Sequence, residues 1–515
     1  MKRFLSRFES LITGVLSGFD RLVFRGTLRP LMRPHGMDYF LHDSGVSLSD
    51  FARYADTTCG RVKEAALAAA ADAGRPVRYL SSSGDDKADI AASLLASHPV
   101  QAGVVCALYA VEPCRAFEYH RSKILSERGF RLVNRKCLHV YQYWLHPTFG
   151  FMNARIQTWF PFQVQVCLNG REWLARQLTA AGVEFVRHDN CFLAVGDVTR
   201  ASELLAEQLS TAWPTALTEI ARGLNPLHPE IFERAPMDYY WSAFQTEWAT
   251  DVMFRDPASL ATMYPALVRH AVQHFKSPDV MRFLGRKAHG NYTGEIVTSF
   301  KDRAEGVRVK HWVNGNSVKM YDKGGSVLRI ETTLGCVDDF KVLRPHGDAP
   351  DAPLKWQPMR QSVADLHRRA EVSQAANERY LDALSVVDDS TPLAALLDTV
   401  ARPTTYRDKR VRALRTGDPD DVALLAAVAR GEFTTAGFRN RDIRRLLHAG
   451  SDDAEPADLR RLSARVGRQL RLLRAHGLIQ KVQKSHRYVL TARGAQLTGA
   501  LSAARNATIK QLMAA

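Results

Sequence analysis

Residues Val307 to Thr333 read VRVKHWVNGNSVKMYDKGGSVLRIETT, and the spacing inside this stretch decides how the middle of the chain folds. Asn314-Gly315-Asn316 and Lys323-Gly324-Gly325 supply two tight turns, because Asn and Gly tolerate the positive φ that such connections need. Between the turns apolar and polar residues alternate: Val307 and Val309 against Arg308 and Lys310, Val318 and Met320 against Lys319 and Tyr321, Leu328 and Ile330 against Arg329 and Glu331. A period of two predicts three short antiparallel strands with one face in the core. The other face carries Arg308, Lys310, Lys319, Tyr321, Arg329 and Glu331, a charged surface with a tyrosine on it.

Toward the N-terminus, Leu22–Arg25 and Val77–Leu80 read as strands, with a helical stretch from Leu48 to Ala73 between them. Ser81–Asp85 leads into a helix ending near Ser97. The serine-glycine loop lacks the full phosphate-cradling Gly-x-x-x-x-Gly-Lys pattern, so an ordinary helix cap is the reading. Gly103–Val111 is an apolar run suited to a buried strand. From Leu138 aromatic residues alternate through LHVYQYW, FMNARIQTW and FPFQVQVCL, which predicts antiparallel strands. Outward Arg155, Gln163 and Gln165 with these aromatics could bind nucleotides, RNA included, by stacking and hydrogen bonding; the alternative is simple core packing. Helices are expected at REWLARQLTAAG and at Thr199–Ala212, giving an antiparallel sheet with helices on one side. Trp213–Pro236 reads as a surface connection on its four prolines. Helices are expected at Asp238–Phe254, Pro257–Phe275 and Asp279–Lys287, and a strand at Thr293–Phe300. His270 and His274 lie one turn apart, without the glutamate of a metalloprotease signature.

With 515 residues and 46% hydrophobic content the chain has room for several domains with real cores, which excludes a disordered or fibrous protein. A net charge of +16 favours a polyanionic partner such as nucleic acid. Seven cysteines without a Cys-x-x-Cys pair predict reduced thiols in a cytoplasmic protein rather than a disulfide framework or zinc site. The basic, then apolar N-terminus is interrupted by Glu9 and Asp20 and reads as neither signal peptide nor membrane span.

Past Pro345–Pro358, which reads as a domain boundary, Met359–Leu384 is expected to be a helical spacer or packing arm. Helices follow at Asp418–Ala429, Arg439–His448 and Pro456–Ala475, then two short strands, LIQKV and HRYVL, and a last helix over Thr491–Met513. In the third helix Leu459, Leu462, Val466, Leu470 and Leu473 form the buried stripe, while Arg461, Arg465 and Arg468 lie on another face. This order resembles a winged helix-turn-helix, and LRLLRAHGLIQKVQKSHRYVLTARG (Leu470–Gly494) is similar to MarR-like regulators. The resemblance implies that the Pro456 helix enters the major groove of DNA through those arginines, with Lys481, Lys484, His486 and Arg487 on the wing touching backbone or minor groove. Residues 435–495 hold fourteen Lys/Arg against five Asp/Glu, so the charge is concentrated there. By analogy with such regulators the protein could form a homodimer.

Lys319-Met320-Tyr321-Asp322-Lys323 followed by Arg329-Ile330-Glu331 resembles a motif of rolling-circle replication initiators. That resemblance implies Tyr321 as a nucleophile, Glu331 as a ligand for a divalent metal (Mg or Mn), and Lys319, Lys323 and Arg329 as phosphate-binding groups. Asp20, Asp85, Glu112 and Glu118 are the candidates for further carboxylates. The expected fold class is mixed α+β: antiparallel sheets with flanking helices, then a helical arm and a winged helix. The expected domains are residues 1–135 (α/β), 136–345 (α+β), 346–410 (linker and arm) and 411–515 (winged helix). Two functions stand: a DNA-binding protein tied to a mobile element, or a metal-dependent nicking, transposition or replication-initiating enzyme.

Overall fold

Ile12–Thr27 (β1) is the strand on which the larger sheet is assembled. The computed structural model describes all residues except 83, 122–127, 287–294, 304–305, 346–351, 386–392, 431–432, 434–436, 449, 451–454, 483–484 and 509–515. Two compact units divide it. The first comprises Met1–Pro265, Phe283–Arg286 and Glu295–Ala383; the second comprises Ala266–Arg282 and the chain from Leu384 onward. The architecture is mixed α+β, as expected.

In the first unit the chain continues through β2 (Val77–Leu80), β3 (Gly103–Arg121), β4 (Arg128–His146), β5 (Gly150–Gln157), β6 (Val164–Asn169), the hairpin β7 (Phe185–His188) and β8 (Cys191–Val195), and β9 (Tyr240–Phe254). The stretch quoted first supplies β11 (Gly306–Val313), β12 (Asn316–Lys323) and β13 (Val327–Leu334), preceded by β10 (Ile296–Arg303). Eleven strands form one sheet in the order β10-β11-β12-β13-β9-β1-β6-β5-β4-β3-β2. Its pairs are antiparallel apart from β2 with β3.

Several expectations are corrected. The helix expected over Asp238–Phe254 is a strand over Tyr240–Phe254: Trp248, Thr250 and Val252 alternate with Glu247, Ala249 and Asp251, and β9 is gripped by β1 and β13 on its two edges. Trp213–Pro236 is no mere surface connection. It holds helices Trp213–Leu224 and His228–Ile231, whose prolines sit in the first turn, where no backbone donor is lost. Trp213 is buried against Phe24 and Phe149. The strands foreseen at Leu22–Arg25 and Gly103–Val111 are longer, extending over Ile12–Thr27 and Gly103–Arg121. Asp86, beyond the serine loop, caps the Lys87–Ser97 helix.

Helices cover both faces of the sheet, not one. Successive strand residues point to opposite sides, so Trp248, Thr250, Ile330 and Thr332 share one face, and Ala249, Asp251, Arg329 and Glu331 the other. The Leu366–Leu384 helix lies on the first face. Its Asn377 amide donates to Thr250 Oγ1 (3.1 Å) and to the carbonyls of Trp248 and Ile330, and accepts from the Thr332 hydroxyl at 2.7 Å. The foreseen helical arm is therefore part of this core. On the second face helices Gly170–Ala180 and Val198–Leu209 approach β1 closely: a Cβ at Gly18 would lie 2.6 Å from Leu205. As a result β13 is buried along its whole length, and the polar face foreseen for it is largely enclosed.

Beyond the sheet lies the hairpin β14 (Lys341–Pro345) and β15 (Leu354–Pro358). The second unit contains β16 (Thr404–Tyr406) paired with β17 (Lys409–Val411), and helices Pro419–Val428, Asn440–Leu447 and Pro456–Ala475. The ribbon β18 (Ile479–Lys481) and β19 (Tyr488–Leu490) follows, then the Ala492–Asn506 helix. Val466, Leu470 and Leu473 pack with Leu424, Ile443 and Leu478, as the leucine periodicity requires. All seven cysteines are free. No described helix is long and apolar enough to cross a membrane.

Candidate metal centre

A one-residue bulge creates the site. The β1–β9 register steps from Phe19↔Trp248 to Arg21↔Glu247, so Asp20 is the extra residue, turned out of the ladder toward the second face. Bulges re-aim side chains in this way. Glu247 from β9 and Glu331 from β13 meet it there. One oxygen from each of Asp20, Glu247 and Glu331 lies within 4.8 Å of the others. This is the one group of at least three His, Cys, Asp or Glu residues so placed among the described residues.

The groups around the trio are unequal. Glu331 is ion-paired with Lys319, its partner across the β12–β13 ladder, and accepts a hydrogen bond from the Tyr321 hydroxyl at 2.7 Å. Burial works to raise the Glu331 carboxyl, but the Lys319 and Arg329 charges outweigh it and hold the pKa at about 2. Glu247 is half-buried, with Lys319 at 3.9 Å and the Gln245 amide donating at 3.2 Å. Burial, reinforced by the negative charge of Glu331, pushes its pKa to about 7 against the pull of Lys319. Burial also raises Asp20, against the Arg329 charge. Two of the three carboxylates thus lack enough positive charge, a deficit that a divalent cation would relieve. Three hard oxygen donors suit Mg²⁺ or Mn²⁺.

Beneath the trio lies a buried ionic layer. Arg329 and Asp251 are cross-strand partners and both are 0% exposed. Arg329 Nε donates to Asp251 Oδ1 at 2.6 Å and Nη2 to Oδ2 at 2.9 Å. Nη1 reaches Asp20 at 3.3 Å, and Nη2 also bonds the Asn190 carbonyl at 2.7 Å. Arg171 approaches Asp251 from the other side at 3.1 Å. Arg329 is therefore committed to orienting carboxylates. Lys323 acts farther out: it pairs with Asp189 at 2.7 Å in the β7–β8 turn, whose next residue, Asn190, donates to both Asp20 oxygens at 2.8 and 2.9 Å.

Of the carboxylates foreseen, Asp20 joins Glu331. Glu112 does not; it pairs with Lys87 (3.0 Å) and Arg155 (3.3 Å) and accepts from Tyr141. Asp85 and Glu118 are exposed elsewhere. Glu247 was hidden by the helical reading of β9, although the alternation Gln245, Glu247, Ala249, Asp251 carries its signal.

The same sheet face continues from Arg21 over β6, β5 and β4. Arg25, Gln165, Arg155 and Tyr141 form one cross-strand row. Arg155 donates to Gln165 at 3.1 Å and to the Tyr141 hydroxyl at 3.4 Å, and the Arg25 guanidinium lies 3.6 Å from the Phe244 ring centre. Cys167 lies on this face with Gln165, the row is half-exposed, and Gln163, also half-exposed, precedes β6.

In the second unit Arg461 pairs with Asp458 (3.0 Å) and Arg465 with Asp420 (2.9 Å), while Arg468 is exposed. Lys481 and His486 are exposed on the ribbon, and Arg487 donates to the Gly437 carbonyl at 3.4 Å. Lys484 lies outside the described residues. The His270 and His274 rings stack 4.8 Å apart and belong to no such carboxylate or histidine cluster. No family model, curated protein or solved structure matches this chain.

Proposed function

We propose that the chain is a divalent-metal-dependent enzyme that cleaves phosphodiester bonds of DNA and is brought to its target by a C-terminal winged helix. The convergence of Asp20, Glu247 and Glu331 carries this reading. These residues would hold Mg²⁺ or Mn²⁺. Such an ion, when bound, supplies charge neutralisation at the phosphate and an acidified water. Lys319 adds a positive charge beside the trio, and Arg21, Arg25, Gln165, Arg155 and Tyr141 offer an unpaired strand a row of cations and ring faces. The helix-helix-helix-ribbon order and the basic charge of residues 435–495 support the targeting role, and the resemblance to rolling-circle initiators supports a mobile-element setting.

Tyr321 is assigned here as the residue that orients Glu331, with water as the attacking group. Its hydroxyl donates to Glu331 at 2.7 Å, which commits it to a carboxylate rather than to a phosphate. The test is nicking of supercoiled plasmid by the full chain with Mg²⁺, Mn²⁺ or a chelator. Metal-dependent nicking is expected, lowered about tenfold in Tyr321→Phe, since a hydrogen bond to a charged group contributes roughly 1.5 kcal/mol. A covalent protein–DNA adduct that Tyr321→Phe abolishes would make Tyr321 the nucleophile. Absence of nicking under all conditions would remove the enzymatic reading.

A further inference from the structure

The Pro456–Ala475 helix carries two sets of arginines in different electrostatic states. Arg461 and Arg465 are each ion-paired to an aspartate. Arg471 and Arg474 lie one turn apart on another face, and no salt bridge to a carboxylate is found for them among the described residues. Opposite these two stands the β16–β17 hairpin. Its turn residues Arg407 and Asp408 both have positive φ (52° and 57°), the pattern of a tight two-residue hairpin turn.

Between hairpin and helix is a cavity of about 320 Å³. Four cations line it, Arg407 and Lys409 from the hairpin and Arg471 and Arg474 from the helix, and among the described residues no carboxylate does. Tyr406 and Tyr488 form its sides, with the Arg474 guanidinium 5.4 Å and 5.9 Å from their ring centres. Gly467, in the middle of the helix, lines it without a side chain. Cations gathered in one concavity repel each other unless an anion enters, and guanidinium forks match phosphate oxygens in pairs.

We infer that this cavity seats a backbone phosphate of the duplex, making Arg407, Lys409, Arg471 and Arg474 the principal phosphate contacts of the second unit, ahead of Arg461 and Arg465. The inference rests on the winged-helix reading, because it supplies that module with a phosphate anchor outside the expected helix face and wing.

The experiment is duplex binding by the full chain across a salt series, comparing Arg471→Gln/Arg474→Gln and Arg407→Gln/Lys409→Gln with Arg461→Gln/Arg465→Gln. Thermal melting of each variant checks that it is folded. Each cavity pair should weaken binding about tenfold or more at 0.1 M salt and lower the slope of log affinity against log salt by about one, the contribution of one neutralised phosphate. The Arg461/Arg465 pair should change both less. Duplex affinity and slope changed by the Arg461/Arg465 pair and left unchanged by the cavity pairs would overturn the inference while keeping the winged-helix reading. If no set alters measurable binding by the full chain, or no salt-dependent binding exists, the winged-helix reading itself fails. Binding of a free nucleoside monophosphate as tight as that of the duplex would reassign the cavity to a small effector and also overturn the inference.

Discussion

Glu331→Gln should lower metal-dependent DNA cleavage by about a thousandfold, or ~4 kcal/mol of transition-state stabilisation. The substitution keeps the shape of the side chain and an oxygen for Tyr321 to donate to, but it removes the charge that balances Lys319 and would hold a cation. It leaves the mostly buried Lys319 with Glu247 at 3.9 Å as its remaining acidic partner, so some stability is lost along with activity. Cleavage rates measured beside a thermal melt separate the two effects. A thousandfold loss in a variant that melts somewhat lower but is still folded at the assay temperature is the expected result, and activity within about threefold of the parent would take Glu331 out of the chemistry.

Arg329→Met should cost about 3–5 kcal/mol of stability, because it leaves buried Asp251 and Asp20 without their shared counter-charge. Arg171 still faces Asp251, but nothing replaces the bonds to Asp20 and to the Asn190 carbonyl. Arg329→Lys should fall between parent and Met variant: a lysine keeps the charge but not the planar fork that serves four acceptor atoms. Urea denaturation gives the comparison. An Arg329→Met midpoint equal to that of the parent would mean that the ionic layer beneath the trio is not what orients Asp20.

How much of this could be read from the chain varies with the range of the interaction. The turns at Asn314–Asn316 and Lys323–Gly325 and the placing of Tyr321, Arg329 and Glu331 on one face are local, and the structure contains both. The leucine stripe of the Pro456 helix is local as well, and its Val466, Leu470 and Leu473 are buried. Asp20 could be a candidate but not a placed one, because its direction depends on a bulge made against β9, more than two hundred residues away. Glu247 was lost because the aromatic, Ala and Thr content of β9 suits a buried helix as readily as a strand, and only its two neighbours decide. Arg329 looked like a phosphate ligand when β13 was taken as half-exposed. With helices on both faces, the same guanidinium becomes an internal counter-ion.

Mn²⁺ binding, followed by electron paramagnetic resonance with the full chain and with an Asp20→Asn/Glu247→Gln variant, tests the central claim most directly. Stoichiometric binding to the parent and its loss in the folded variant is the result the carboxylate trio predicts. Equal Mn²⁺ binding by both proteins, or none by the parent, would contradict it.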